Sequence, residues 1–229
     1  MFRHRFLSLS FLALTLSAAA TPLATIGQEV ALDSLEGLRV LNVSVEESTH
    51  NGRAAVHVTD AGSEDAGEDK LVILDAVQFQ DGVIEIDIAG APGSHAGAGA
   101  RGFVGVAFRV AADVSTFETF YLRPTNGRAD DQLRRNHSAQ YFSFPEYPWR
   151  RLREETPGVY ESYVDLVPGD WTQVRIEVSG EQALLYVHGT EQPSLIVNDL
   201  KLGNATGAIG LWIGPGTDAY FSDLKVTAY

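Results

Sequence analysis

Seven arginines crowd one stretch of this 229-residue chain, Phe117–Tyr163: Arg123, Arg128, Arg134, Arg135, Arg150, Arg151 and Arg153. Five aromatic rings fall between Tyr141 and Trp149 in the same stretch. A guanidinium presents a rigid fork of donors that suits vicinal hydroxyls or a carboxylate. An aromatic ring offers a flat apolar face with a defined edge. Such a mixture is poor material for a simple core. It suits a polar ligand with apolar faces, such as a sugar.

Within this stretch, Glu118, Tyr121, Arg123 and Asn126 lie on or just after one strand-like run. Strict alternation puts Tyr121 and Arg123 on one face and Glu118 on the other, with Phe120 and Leu122. Glu118 is then either a carboxyl raised in pKa by apolar neighbours, able to act as an acid or base, or a strand-entry residue in solvent. Arg123 precedes Pro124 and ends the strand. It can fork onto a ligand or pair with Glu146 or Glu161. Further along come Gln140, Tyr141, Tyr147, Trp149 and Arg150, which read as an aromatic loop. Two or three of the five rings between Tyr141 and Trp149 are expected to touch ligand while the others pin the loop to the sheet. Pro145, Pro148 and Pro157 would stiffen it. His137, the one histidine of the stretch, is a candidate general base with Glu118 or Glu161 as partner, or else a surface residue.

The elements that must position these groups are strands. Ile84, Ile86 and Ile88 alternate with Glu85 and Asp87. Val104, Val106, Phe108 and Val110 share a face, as do Val174, Ile176 and Val178. Ile209, Leu211 and Ile213 alternate with Gly210, Trp212 and Gly214. Period-two runs bounded by Gly, Asp, Asn and Pro are half-buried antiparallel strands. Val178–Ala183 reads as a hairpin with Gly180 at the turn. Helical signals are thin; Asp130–Arg135 and Pro148–Glu155 could each form a turn or two. The pattern predicts an all-β, two-sheet antiparallel jelly-roll sandwich, with Pro124–Val164 as a long functional loop between strands.

At the N-terminus, Arg3 and Arg5 precede the apolar run Phe6–Leu16 and the small residues Ala18–Ala20. This predicts a secretory signal peptide over residues 1–20, cleavage near Thr21, a lead-in over 21–37 and one domain over 38–229. The expected destination is secreted or periplasmic. The apolar run is short for a membrane span, and no later run is longer. Without Arg3 and Arg5, 15 basic residues face 30 acidic ones. That balance disfavours nucleic acid and anionic membrane as partners. The chain has no cysteine, which excludes disulfides, thiol catalysis and cysteine-ligated metal.

Two closing runs, WTQVRIEVSGEQALLYVHG and GAIGLWIGPGTDAYFSDLKV, resemble a laminin G-like, concanavalin A-like jelly roll. With GVIEIDI, FVGVAFR, ETFYLRP and QYFSFPEYPW, the chain most resembles secreted bacterial domains known as 3-keto-disaccharide hydrolases, over roughly Leu38 to Tyr229. The resemblance implies a carbohydrate ligand, and glycoside-cleaving activity on oxidised sugars. A weak base suffices there, because a keto group acidifies the neighbouring C–H. Glu118 or His137 would be that base, and Arg123 would polarise the carbonyl. Glu85 and Asp87 resemble part of the E-x-D-x-x-E cluster of laminarinase-type enzymes, but Gly90 stands where the third acid would be. The laminin G-like resemblance also raises calcium, with Asp199, Asn204, Asp218 and Asp223 as rim ligands, although no contiguous oxygen-ligand loop is present. Fold does not settle function. Three readings follow: a carbohydrate-binding protein, a glycoside-cleaving enzyme, and an adhesion module whose arginines meet an acidic protein.

Overall fold

The computed structural model describes Met1 and residues 27–62 and 67–229. The expected signal peptide and its cleavage site lie outside the described residues, Met1 aside.

Chain order opens with β1 (Gln28–Val30), β2 (Arg39–Leu41), β3 (Val43–His50), β4 (Arg53–Asp60), β5 (Leu71–Phe79) and β6 (Gly82–Pro92). Next come β7 (Val104–Val110), β8 (Phe117–Leu122), α1 (Pro124–Gly127), α2 (Gln132–Asn136), β9 (Ala139–Phe144), α3 (Trp149–Glu155) and β10 (Glu161–Ser162). The chain closes with β11 (Thr172–Ser179), β12 (Gln182–Val187), β13 (Leu195–Val197), β14 (Gly207–Ile213) and β15 (Thr217–Ala228). One sheet runs β13-β12-β11-β6-β15-β4-β3, with β1 also on β15; the other runs β10-β9-β8-β7-β14-β5-β2. All pairings among the described strands are antiparallel. The all-β, two-sheet expectation therefore holds.

Alternation builds the core between the sheets. Ile84, Ile86, Ile88, Val174, Ile176 and Val178 from one sheet meet Val104, Val106, Phe108, Ile209, Leu211 and Ile213 from the other, all buried in one cluster. The expected hairpin joins β11 to β12, pairing Ser179 with Gln182 across Gly180, whose φ of +59° explains the glycine.

Three expectations need correction. The fold begins before residue 38: β1 pairs with β15, and Leu32 is buried in the core. The long loop is largely structured, and its aromatic run is a strand. β9 pairs with β8 from Phe117↔Phe144 to Leu122↔Ala139. Its residues are buried on both faces, so no polar alternation marks them. The helical turns do form as α2 and α3, preceded by the unexpected α1.

Glu85 and Asp87 face solvent on the eight-stranded sheet, where Asp87 pairs with Arg53 and Glu85 lies 3.9 Å from Lys225. No third acid could join them. A Cβ at Gly90 would come within 2.5 Å of the Gly102 carbonyl oxygen and 2.7 Å of Val104 Cγ1.

Candidate functional site

The register of β7, β8, β9 and β14 decides which side chains share a face. Phe120 pairs with Val106 and Tyr141, and Glu118 with Phe108 and Ser143. These side chains face the partner sheet. Tyr121 pairs with Gly105 and Gln140, and Trp212 lies opposite Gly105. On that outward face Tyr121, Phe142 and Trp212 pack ring against ring, with centroids 4.9–5.7 Å apart. Gly105 permits the contact, since a Cβ there would fall 2.5 Å from Tyr121 Cβ.

The three rings floor a cleft of about 580 Å3. One wall is the 97–103 segment with Phe103. The other is α3, which brings Pro148, Trp149 and Arg150, while Glu68 and Pro215 close an end. α3 is one short helix with Leu152 as its buried anchor, and its capping residue Pro148 sets the extended entry. Gly99, Phe103 and Trp149 also line an adjoining cavity of about 270 Å3. That cavity holds Arg101, Arg123, Asn126, Arg134, His137 and Arg153.

Arg123 anchors the junction. It is 5% exposed, donates to Tyr121 Oη at 2.5 Å and to the His137 carbonyl at 3.0 Å, and lies 5.4 Å from the Trp149 ring centroid. Tyr121 in turn donates to Gln140 Oε1 at 3.2 Å, which also accepts from Arg153 at 3.3 Å. Arg153 grips Glu161 at 2.6 Å, and Glu161 lies 3.1 Å from His137 Nε2. Asn126 donates to the His137 carbonyl at 3.3 Å and accepts from Arg134 at 3.4 Å. One polar chain therefore runs from the floor of the cleft to His137.

Burial sets the protonation states. The Tyr121 phenol is pushed up to about 12 by burial, so it stays neutral and donates. His137 is held below the usual histidine range by burial, with Arg153 and Arg123 adding to the effect against the pull of Glu161. Its free-base form is favoured. Glu68, half-buried at the cleft, has its carboxyl raised by burial, which Arg150 opposes. A carboxyl raised in this way keeps its proton to higher pH than a solvated one, in the direction that a general acid requires.

Not every expected site residue converges. Tyr121, Arg123, Asn126, His137, Trp149 and Arg150 line the two cavities. Gln140 stands directly behind them. Glu118 and Tyr141 do not reach the cleft, because alternation turns both toward the partner sheet. Glu118 is fully buried, accepts from the Tyr141 hydroxyl and from the Leu202 amide at 2.7 Å, and its carboxyl is raised by burial. Tyr141 is sealed with it. Tyr147 is half-buried outside the cleft, with Arg151 at 4.3 Å and Lys201 at 5.3 Å from its ring. Arg123 makes no ion pair with Glu146 or Glu161; Glu161 pairs with His137 and Arg153 instead.

The calcium candidates are scattered. Asp199 accepts from Tyr160 and Lys201 at 2.6 Å, Asp218 lies 2.6 Å from His57, and Asp223 lies 3.1 Å from Arg53. Among the described residues no group of three or more His, Cys, Asp or Glu side chains could hold a metal ion. No helix among them is long and apolar enough to cross a membrane.

Phe103, Phe142, Trp212 and Glu68 are members of the cleft that sequence reasoning missed. Trp212 carried a signal: it stands between Gly210 and Gly214 on the strand face opposite Leu211. Glu68 carried none, being one acid among many in its loop.

No protein-family model matches the sequence, and no curated protein matches it. Solved structures do. A protein of unknown function with a galectin-like fold from Bacillus subtilis superposes with TM-score 0.54 at 13% identity, over 88% of this chain and 98% of that one. The carbohydrate binding module CBM66 from Bacillus subtilis superposes with TM-score 0.51 at 12% identity, over 83% and 96%. A transglycosylase in its apo form gives TM-score 0.50 at 12% identity, over 90% and 85%. The chain is a galectin-like β-sandwich. At these identities the likeness establishes the concanavalin A-like fold alone. A specific 3-keto-disaccharide hydrolase is not among these counterparts.

Proposed function

We propose that this galectin-like sandwich binds a carbohydrate in the cleft on the outer face of its seven-stranded sheet. One observation carries the reading: Trp149, Trp212, Phe103 and Tyr121 enclose a cavity of about 580 Å3 that opens onto a second one lined by guanidinium and amide donors. Sugar sites combine flat apolar surfaces with a few placed polar groups in this way. Arg123, Gln140 and Tyr121 hold one another in place, so little order is lost on binding. The galectin-like fold, shared with a protein named as a carbohydrate binding module, supports the same ligand class. The leader expected from the sequence would place the cleft outside the cytoplasm.

A glycan screen on the protein tests the reading, with Trp149→Ala and Arg123→Met beside it. Saturable binding that both variants weaken supports it. Binding that neither variant alters would place the sugar elsewhere.

A second reading is favoured by Glu68 and His137, a carboxyl raised by burial and an imidazole lowered by burial, which line the two cavities. Such a pair fits glycoside cleavage. On a 3-keto glycoside, His137 would remove the proton beside the carbonyl while Arg123 stabilises the developing enolate and the glycosidic oxygen leaves. Turnover of a 3-keto glycoside that falls sharply in His137→Gln and Glu68→Gln is the expected result. Binding without turnover on neutral and keto sugars alike leaves the first reading alone.

A further inference from the structure

The smaller cavity is lined by four arginines, Arg101, Arg123, Arg134 and Arg153, in a protein whose net charge is −13. Glu161 is the one carboxylate within 4.0 Å of any of them among the described residues, and Arg153 takes it. Arg123 is the telling member. It is 5% exposed, and its partners are a phenol oxygen, a backbone carbonyl and aromatic rings. Burying a guanidinium without a carboxylate in contact is costly, and Arg153 and Arg101 add like-charge repulsion that Glu161 offsets only in part. Arg101 is bound to two backbone carbonyls at 2.8 Å, and Arg134 reaches only Asn126, at 3.4 Å. Four guanidiniums here share one carboxylate.

We propose that this cavity is an anion subsite and that the sugar held in the cleft is acidic, its acid group seated among Arg101, Arg123 and Arg134. The inference rests on the carbohydrate reading and narrows it to one substrate class. Trp149 and Phe103 wall both cavities, so a pyranose ring lying against them directs a substituent into the arginine end. An entering anion meets a guanidinium that is already desolvated and held, which makes its ion pair stronger than one at the surface. The planar fork pairs bidentately with a carboxylate, and a uronic acid carries that group directly on its pyranose ring.

Calorimetric titration tests this with oligogalacturonate, oligoglucuronate and oligomannuronate, each beside its carboxyl-reduced neutral counterpart. A sulfated galactan oligosaccharide beside its desulfated form, and polyglutamate, complete the set. One uronate is expected to bind about tenfold or more tighter than its reduced form. That preference should weaken with added salt and vanish in Arg101→Ala and Arg134→Ala, whose side chains are peripheral enough that folding is safe. A preference for the sulfated galactan alone would overturn the carboxylate assignment. Equal binding of acid and reduced forms, or a preference that survives both arginine variants, would overturn the subsite and leave the sugar reading standing. Polyglutamate binding as tightly as any sugar would transfer the site to an acidic protein. Failure of every saccharide, charged or neutral, would remove the sugar reading and this inference with it.

Discussion

Trp149 separates the two cavities and stacks three guanidiniums around its ring, Arg153 at 4.8 Å and Arg123 and Arg150 each at 5.4 Å. It is only half-buried, so its removal should spare the fold. Trp149→Ala is expected to weaken sugar binding by about 1–2 kcal/mol, roughly tenfold in Kd, with the melting temperature nearly unchanged. Calorimetry and a thermal melt on the same sample check both halves. Glu118 behaves in the opposite way. Its carboxyl is raised by burial, so the folded state keeps a proton that the unfolded chain releases. Its contribution to stability is therefore present below the ordinary glutamate range and is lost as pH rises toward its raised folded value. Glu118→Gln should remove that loss while leaving sugar affinity untouched. Denaturant melts between pH 4 and 8 read the first effect, and a sugar titration of the variant reads the second. The facing of Glu118, Tyr121 and Arg123 was legible from alternation alone. The partners of Glu118 were not: the Leu202 amide lies 84 residues away and is brought near only by the packing of the sheets.

At the scale of elements, Arg109 ties three turns together. It sits on β7 with φ of +54°, its side chain fully buried. From there it donates to the carbonyls of Gln80, Gly180 and Gly203 and to Asp81 at 3.1 Å. Arg109→Met leaves three carbonyls without their donor and leaves the Asp81 carboxylate with the Gly180 amide alone. We expect a loss of about 3–5 kcal/mol, measured by urea denaturation. Arg109→Lys should recover little, because one ammonium cannot span acceptors arranged for a fork. Sequence periodicity found β6, β7, β11, β12, β14 and β15, because they mostly alternate core apolar residues with polar or small ones, Trp212 of β14 being an exception. β9 escaped because both of its faces carry aromatic rings. With Tyr141 on its inner face and Phe142 on its outer face, β9 shows no apolar period of two, and its aromatics then read as a loop.

For the whole molecule, the relevant boundary is the N-terminal one. β1 adds to β15 through Gln28↔Val226, Glu29↔Lys225 and Val30↔Leu224, and Leu32 follows into the core. A chain beginning at Leu38 loses this edge and the burial of Leu32, worth about 2–3 kcal/mol. Relative to a chain beginning at Gly27 it should melt roughly 5–10 °C lower, by calorimetry. The domain start was misplaced from sequence because a three-residue strand is too short to show a pattern. The same limit applies to the cleft as a unit. Glu68, Trp149 and Trp212 are far apart in the chain, and only the closed order of seven strands makes them neighbours.

The seven residues of α3 supply Trp149 and Arg150 to one cavity and Trp149 and Arg153 to the other, yet only Leu152 roots the helix in the sandwich. Part of the ligand choice thus sits in a short cassette that gives the scaffold one buried side chain. Exchanging residues 146–156 for a different sequence, with Leu152 retained, should retarget the pocket while the two sheets beneath it stay as they are.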